Sequence, residues 1–299
     1  AILLSTPGTS ASAATAIDGF ELTKKGQFDK AIRVATFASV SGGIVSGIGL
    51  LVIAPPLSLL SLKFGPAEYF MLAIFGLTII GSLSSGNLVK GLLAGAIGLF
   101  ISTIGLDLDS GYPRFAFGID ELVSGFDFVP VVIGLFSVSQ ALVMCEDVHR
   151  SIQQNTALTP RRWRFLPEWA EFREIRQTLA RSSVIGVFVG ILPGAGGDIG
   201  SWVAYNEARR FARDKSQFGK GSIVGIASSE AANNAVTGSS LVPLLTLGIP
   251  GSATAAILLG ALIVHGLVPG RKLFTDHAQI TYTVILGFIL ANLVMGVIC

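Results

Sequence analysis

Charge is the scarce component of this sequence. Asp, Glu, Lys and Arg make up 13% of its 299 residues, against 51% hydrophobic, and the mean hydropathy is +0.68. A soluble domain carries roughly 25% charge, so an ordinary soluble fold is excluded and a chain that crosses a membrane repeatedly is expected. Cysteine is almost missing. Cys145 and Cys299 lie far apart in apolar segments, which excludes a disulfide framework and offers no redox role. The three histidines, His149, His265 and His277, share no helical spacing and have no cysteine partners, so no metal site is expected. There is no Gly-x-Ser-x-Gly elbow and no His–Asp pair in an apolar segment, which argues against an enzyme. No cofactor is expected. A start methionine and a signal peptide are also lacking. Ala1 opens inside one apolar run and Cys299 closes another, so an internal piece of a longer protein is expected. Glycine is what the chain has in plenty. Its 36 glycines suit close packing of helices in lipid.

Residues 226–260 organise the rest. The stretch is long and apolar enough to enter a bilayer, yet it holds Glu230, Asn233, Asn234, Thr237, Ser239, Ser240, Pro243, Thr246, Pro250, Ser252 and Thr254. Unpaired polar groups are costly in hydrocarbon, so these side chains are expected to face protein, water or a ligand. Gly238, Pro243 and the turn Gly248-Ile249-Pro250-Gly251 are expected to break the helix at membrane depth. Backbone can be irregular there only where protein buries it or a cavity borders it.

A second copy of the pattern stands at the start. Residues 3–15 share a layout with residues 245–257, Pro7-Gly8-Thr9 aligning with Pro250-Gly251-Ser252. Each copy has an apolar lead-in, a Pro-Gly break, and hydroxyl and alanine residues that restart a helix, Ser and Thr being good N-caps. Either copy alone reads as a tight turn between packed helices. The pair, with Asn233-Asn234, points to an internal repeat of the kind transporters use.

Apolar spans are expected at 34–54, ending at Pro55-Pro56, and at 69–84, 91–105, 128–145 and 279–298. The basic loops at 20–33, around Lys90 and at 146–181 alternate with the loop near 65 and the acidic loop at 107–127. Basic loops tend to be cytoplasmic, so the alternation gives a self-consistent orientation. Residues 1–145 then form the later part of a first transmembrane repeat, 146–181 a cytoplasmic basic linker, and 182–299 a second, truncated repeat. Ser182–Tyr205 lies between two basic loops and has about 24 residues, too few for two crossings of roughly 20 each. It reads as a re-entrant hairpin with its tip at Pro193, Gly194 and Gly196. The alternative is a glycine-rich kink between two short core helices. Asp198, just past the tip, either caps the returning helix or faces an aqueous cavity.

Three motifs carry a resemblance: residues 190–196 (Gly-Ile-Leu-Pro-Gly-Ala-Gly), residues 230–235 (Glu-Ala-Ala-Asn-Asn-Ala) and residues 244–252 (Leu-Leu-Thr-Leu-Gly-Ile-Pro-Gly-Ser). With residues 2–12, Asp18-Gly19, residues 64–70 and residues 105–107, they run in the order found in the large membrane subunit of the tripartite tricarboxylate transporter family, which the chain resembles throughout. The resemblance implies an all-α polytopic protein of the bacterial inner membrane, with an internal, inverted repeat, re-entrant Pro-Gly hairpins and broken helices. It implies two partners, a small four-helix membrane subunit and a periplasmic solute-binding protein. It further implies secondary transport of organic carboxylates, coupled to Na⁺ or H⁺ and using no ATP. Asp198 and the pair Ser239-Ser240 depart from the family's usual small residues and are candidates for retuning the substrate.

A carboxylate in such a membrane finds few Lys or Arg at depth. The restarted helices can supply the missing potential, since a helix N-terminus has free N–H groups and about half a positive charge. The substrate-binding candidates are therefore Pro7, Gly8, Thr9, Ser10 and Ser12 in the first copy, Pro250, Gly251, Ser252 and Thr254 in the second, and Asn233, Asn234 and Thr237 between them. The carbonyl end of the incoming half-helix suits a transported Na⁺. Two adjacent asparagines point to different faces, which favours a site over interhelical glue. Glu230 is either part of the site or a surface residue paired with an arginine of 209–213.

Overall fold

The computed structural model describes residues 2, 10–60, 63–65, 67–68, 70–71, 74, 88–107, 110–126, 130–131, 133–138, 142, 145, 166–192 and 196–298. They are mostly helical. A 3₁₀ turn at Ser10–Ser12 leads into α1 (Ala13–Lys24), followed by α2 (Phe28–Leu60), α3 (Leu88–Ser102) and α4 (Asp120–Val123). After residue 165 come α5 (Trp169–Ile191), α6 (Gly196–Phe211), α7 (Ile223–Ser239), α8 (Leu241–Leu247), α9 (Ala253–Val264), α10 (Arg271–Thr275) and α11 (Ala278–Ile298). The all-α expectation needs one small amendment. In the acidic loop β1 (Gly105–Leu106) pairs antiparallel with β2 (Pro113–Arg114), and Arg114 meets Asp107 at 2.9 Å.

The centre of the structure is α7. Its buried residues are small, Ala227, Ala231, Ala232 and Ala235 among them, with Ile226 and Val236 between. Small residues let backbones approach closely, and the neighbours bring glycines to match. Gly42 of α2 lies against the Ala231 carbonyl, and Gly186 of α5 against Ala232 and Ala235. A methyl group at either glycine would run into backbone. Around α7 stand α1, α2, α5 and α6, while α11 packs on α2 and reaches Gly238 of α7 through Phe288. Asn292 of α11 donates to the Phe288 carbonyl of its own helix at 2.8 Å and lies over Gly43 of α2.

Two breaks and one start differ from the sequence expectation. The first is at Pro55-Pro56, where α2 does not end but runs on to Leu60. Only the carbonyls of Leu51 and Val52 lose their amide partners, and Ser58 Oγ closes the turn on the Pro55 carbonyl at 2.7 Å. The second is Gly238, which does not break α7; it is small because Ser46 of α2 and Phe288 of α11 press against it. The interruption falls instead at Ser240, and Pro243 sits in the first turn of α8, where its missing N–H does least harm. At Gly248 the expected break is present. That residue takes the left-handed conformation (φ 72°), and the amides of Gly248 and Ile249 close on the carbonyls of Leu244 and Pro243. The start concerns α5, which begins at Trp169, inside the stretch expected as a basic linker. Glu171 is the reason. Its carboxylate accepts the Glu168 amide at 2.8 Å and both pairs with and accepts from Arg33 of α2, at 2.8 and 3.0 Å. Ile175 and Leu179 then bury against α2 and α7.

Of the described helices, α2 and α11 are long and apolar enough to cross a membrane, and Val89–Ser102 and Thr254–Val264 are shorter apolar helices. The expected spans at 69–84 and 128–145 lie mostly outside the described residues.

Candidate functional site

The site is built on a hairpin. Helices α5 and α6 run antiparallel, with Arg181 paired to Glu207 at 3.5 Å and Val189 beside Gly200. The expected tip residues Pro193 and Gly194 lie outside the described residues, but Gly196, the first residue of α6, is defined. Its amide donates to the Gly251 carbonyl at 3.3 Å. The next residue, Gly197, faces the side-chain oxygen of Asn233 on α7 and the methyl group of Ala11. The first turn of α6 thus touches the second broken segment through one residue and the first through its neighbour.

Gly251 has no room to spare. A methyl group there would meet the Gly190 carbonyl and Ser240. Ser252 caps α9 by accepting the Ala255 amide at 3.2 Å, as the hydroxyl at this position predicts. Its hydroxyl also lies 3.3 Å from that of Ser240, which donates to the Thr237 carbonyl at 2.9 Å. Thr237 in turn donates to the Asn233 carbonyl at 3.2 Å. A polar line therefore runs along α7 from Asn233 through Thr237 and Ser240 to the start of α9. Thr237 and Thr254 are exposed, and Pro250 is half-buried.

At the first copy, Pro7, Gly8 and Thr9 lie outside the described residues. Ser10 forms part of the 3₁₀ turn, and Ser12 precedes α1 without capping it through its side chain. What the structure brings together is the 3₁₀ turn, the first turn of α6, Asn233 and the segment 250–252. Asn234 is directed elsewhere. Its side chain donates to the Glu230 carbonyl at 3.2 Å and its own carbonyl accepts from Ser46 of α2 at 3.3 Å.

The alternative placing of Glu230, beside an arginine of 209–213, is not found. Ser39 of α2 donates to its carboxylate at 2.7 Å, so Glu230 faces the helix bundle. The reading of α8 as an open carbonyl end also needs revision, because the carbonyls of Pro243, Leu244 and Leu245 already accept the amides of Ile249, Gly248 and Gly270.

One buried carboxylate was visible only as part of a motif. Asp18 of α1 is fully buried. One oxygen accepts the amides of Gly219, Gly221 and Ser222 at 2.8–2.9 Å, and the other accepts the hydroxyl of Tyr205 at 2.8 Å. It ties α1 to α6 and to the start of α7. The sequence held a signal, an acid in a helix that is otherwise apolar on its inner face, but its partners stand about 200 residues away. Among the described residues no group of three His, Cys, Asp or Glu could hold a metal.

Apolar helices interrupted where polar residues gather are the construction of solute transporters. The sequence profile that matches is of such a kind: the Tripartite tricarboxylate transporter TctA family covers residues 1–299, and the chain belongs to that family. It is similar to a protein of Agrobacterium vitis described as "Uncharacterized 52.8 kDa protein in TAR-I ttuC' 3'region", at 35% identity over the whole chain and 59% of that protein. A second protein of the same organism, described as "Uncharacterized protein in TAR-II ttuC' 3'region", shares 34% identity over 38% of the chain and 47% of its own length. The chain thus spans about three fifths and one half of these two relatives. No solved structure matches it.

Proposed function

We propose that the chain is the larger part of a membrane permease subunit that imports organic carboxylate anions across a bacterial inner membrane by symport with Na⁺ or H⁺. In this reading it works with a small four-helix membrane subunit and a periplasmic solute-binding protein. The observation that carries the proposal is the junction at the first turn of α6. Gly196 bonds to Gly251, and Gly197 packs under Ala11 and Asn233. The starts of α1, α6 and α9 all lie within a few residues of it. Each helix start carries about half a positive charge, so three of them suit a multiply charged carboxylate where no Lys or Arg need be buried. Asn233 provides an amide that can donate or accept.

The hairpin fits the same reading. From Ser182 to Ile191 its first arm is ten residues, about 15 Å at 1.5 Å per residue, half of a hydrocarbon core of roughly 30 Å. The arginines of α5 and the end of α6 lie at the opposite end from the tip. A hairpin entering from the cytoplasmic side reaches the midplane, where transporters of this construction bind their solutes.

The test is uptake of labelled di- and tricarboxylates into proteoliposomes that hold the complete membrane subunits, with and without the binding protein. Saturable uptake that needs both the binding protein and a cation gradient is expected. Undiminished uptake without the binding protein would favour an independent carrier, and a steady conductance far above carrier turnover would favour an ion channel.

A further inference from the structure

We infer that the basic end of the α5–α6 hairpin is a binding site for the phosphate of an anionic phospholipid headgroup; this rests on the proposal that this end lies at the cytoplasmic membrane surface. A cavity of about 910 Å³ opens there, between α5, the end of α6 and the loop before α7. Arg173, Arg176, Arg181 and Arg213 stand on its walls, against the acids Glu174 and Asp214. Asp214 is turned to its own loop. The Ser216 amide and hydroxyl and the Gln217 amide group bond to its carboxylate, and these bonds hold it below the usual carboxylate range. Arg181 is half-engaged. Its terminal nitrogen reaches Glu207, while its Nε is buried with no acceptor among the described residues.

The wall of the cavity continues in a way that suits a lipid better than a free anion. Along α5 one helical stripe runs Gln177, Arg181, Val184, Phe188, at steps of four, three and four. Its first two residues line the cavity, and the last two are 50% and 70% exposed. Polar wall gives way to bare apolar surface along one line, as a headgroup gives way to an acyl chain. Phe211 is on the cavity wall and well exposed. Basic pockets between membrane helices on the cytoplasmic side take anionic headgroups.

The test is retention of added lipid by the complete purified subunit, read by native mass spectrometry. The probes are dioleoylphosphatidylglycerol and dioleoylphosphatidylcholine at equal concentration. Preferential retention of phosphatidylglycerol is expected. In the triple variant Arg173→Gln, Arg176→Gln, Arg213→Gln it should fall by on the order of 100-fold, each cation near a membrane surface contributing roughly a factor of five. If the triple variant does not fold, Arg213→Gln alone, on the exposed loop, should lower retention by about that single factor. Phe188→Gln should weaken retention while leaving the arginines in place. Inorganic phosphate should not displace the lipid. Equal retention of the two lipids by the wild type, unchanged retention by the arginine variants, or displacement by phosphate would each overturn the assignment, the last in favour of a free anion site. Lipid retention is read without transport, so its failure leaves the carboxylate-uptake result standing, and the reverse also holds.

Discussion

Helices α3 and α7 are nearly the same length and lie in opposite surroundings. In α3, Val89, Leu92, Leu93, Ile97, Leu99 and Phe100 are all more than half exposed. In α7, most positions are buried, and most of those are Ala, Gly or Ser. The most apolar surface is outside and the smallest side chains are inside, the reverse of a soluble core. Lipid is as apolar as leucine, so bulk gains nothing by being buried there. Close approach of backbones does the holding, and polar groups can be kept inside where the backbone is near.

The comparison breaks most sharply at the seam of α2 and α7. Gly42→Leu places a side chain on the Ala231 carbonyl, and no folded protein is expected, whereas Leu93→Ala on α3 should leave yield and monodispersity in fluorescence-detected size exclusion unchanged. Asp18→Ala is expected to come next. It strands three amides and a hydroxyl, at about 1–3 kcal/mol for each buried donor, and a thermal melt should fall steeply, with Asp18→Asn recovering part of the loss. Asn233→Ala and Asn292→Ala separate the polar interior into site and glue. Asn233→Ala should depress carboxylate uptake at an unchanged melting point. Asn292→Ala should cost no more than about 0.6–2 kcal/mol of stability and spare uptake. Equal effects on uptake would remove the distinction. The smallest expected change is Ser252→Ala, which removes one helix cap, about 1 kcal/mol. If its loss of uptake far exceeds that cost, Ser252 does more than start α9.

Features fixed by neighbouring residues were legible. The restart at Ser252 and the left-handed turn at Gly248 each follow from a glycine or a hydroxyl acting within a few positions. Features fixed by distant residues were not. Gly238 looks like a helix breaker until Ser46 and Phe288 are beside it. The charged stretch before Ser182 reads as a loop until Arg33 supplies a partner for Glu171 and α2 covers Ile175. Glu230 reads equally as part of the site or as a surface partner of an arginine of 209–213 until Ser39 faces it. For the site, Asn233 and the segment 250–252 were legible as a group because they fall in one polar run. Their meeting with Gly197 and Ala11 depends on how three separate segments fold back, which no local pattern records.

Asp18 also sets a schedule. Its four partners are Tyr205, Gly219, Gly221 and Ser222, so for the time it takes a ribosome to add some 200 residues the carboxylate has no cage. At about 5–20 residues per second that is roughly 10–40 seconds. Helix α1 gains these ties only when the hairpin and the loop behind it exist, and a chain broken off before residue 205 leaves Asp18 without any of the four partners. A single hydrogen-bonded carboxylate thereby makes the early part of the protein wait for the late part.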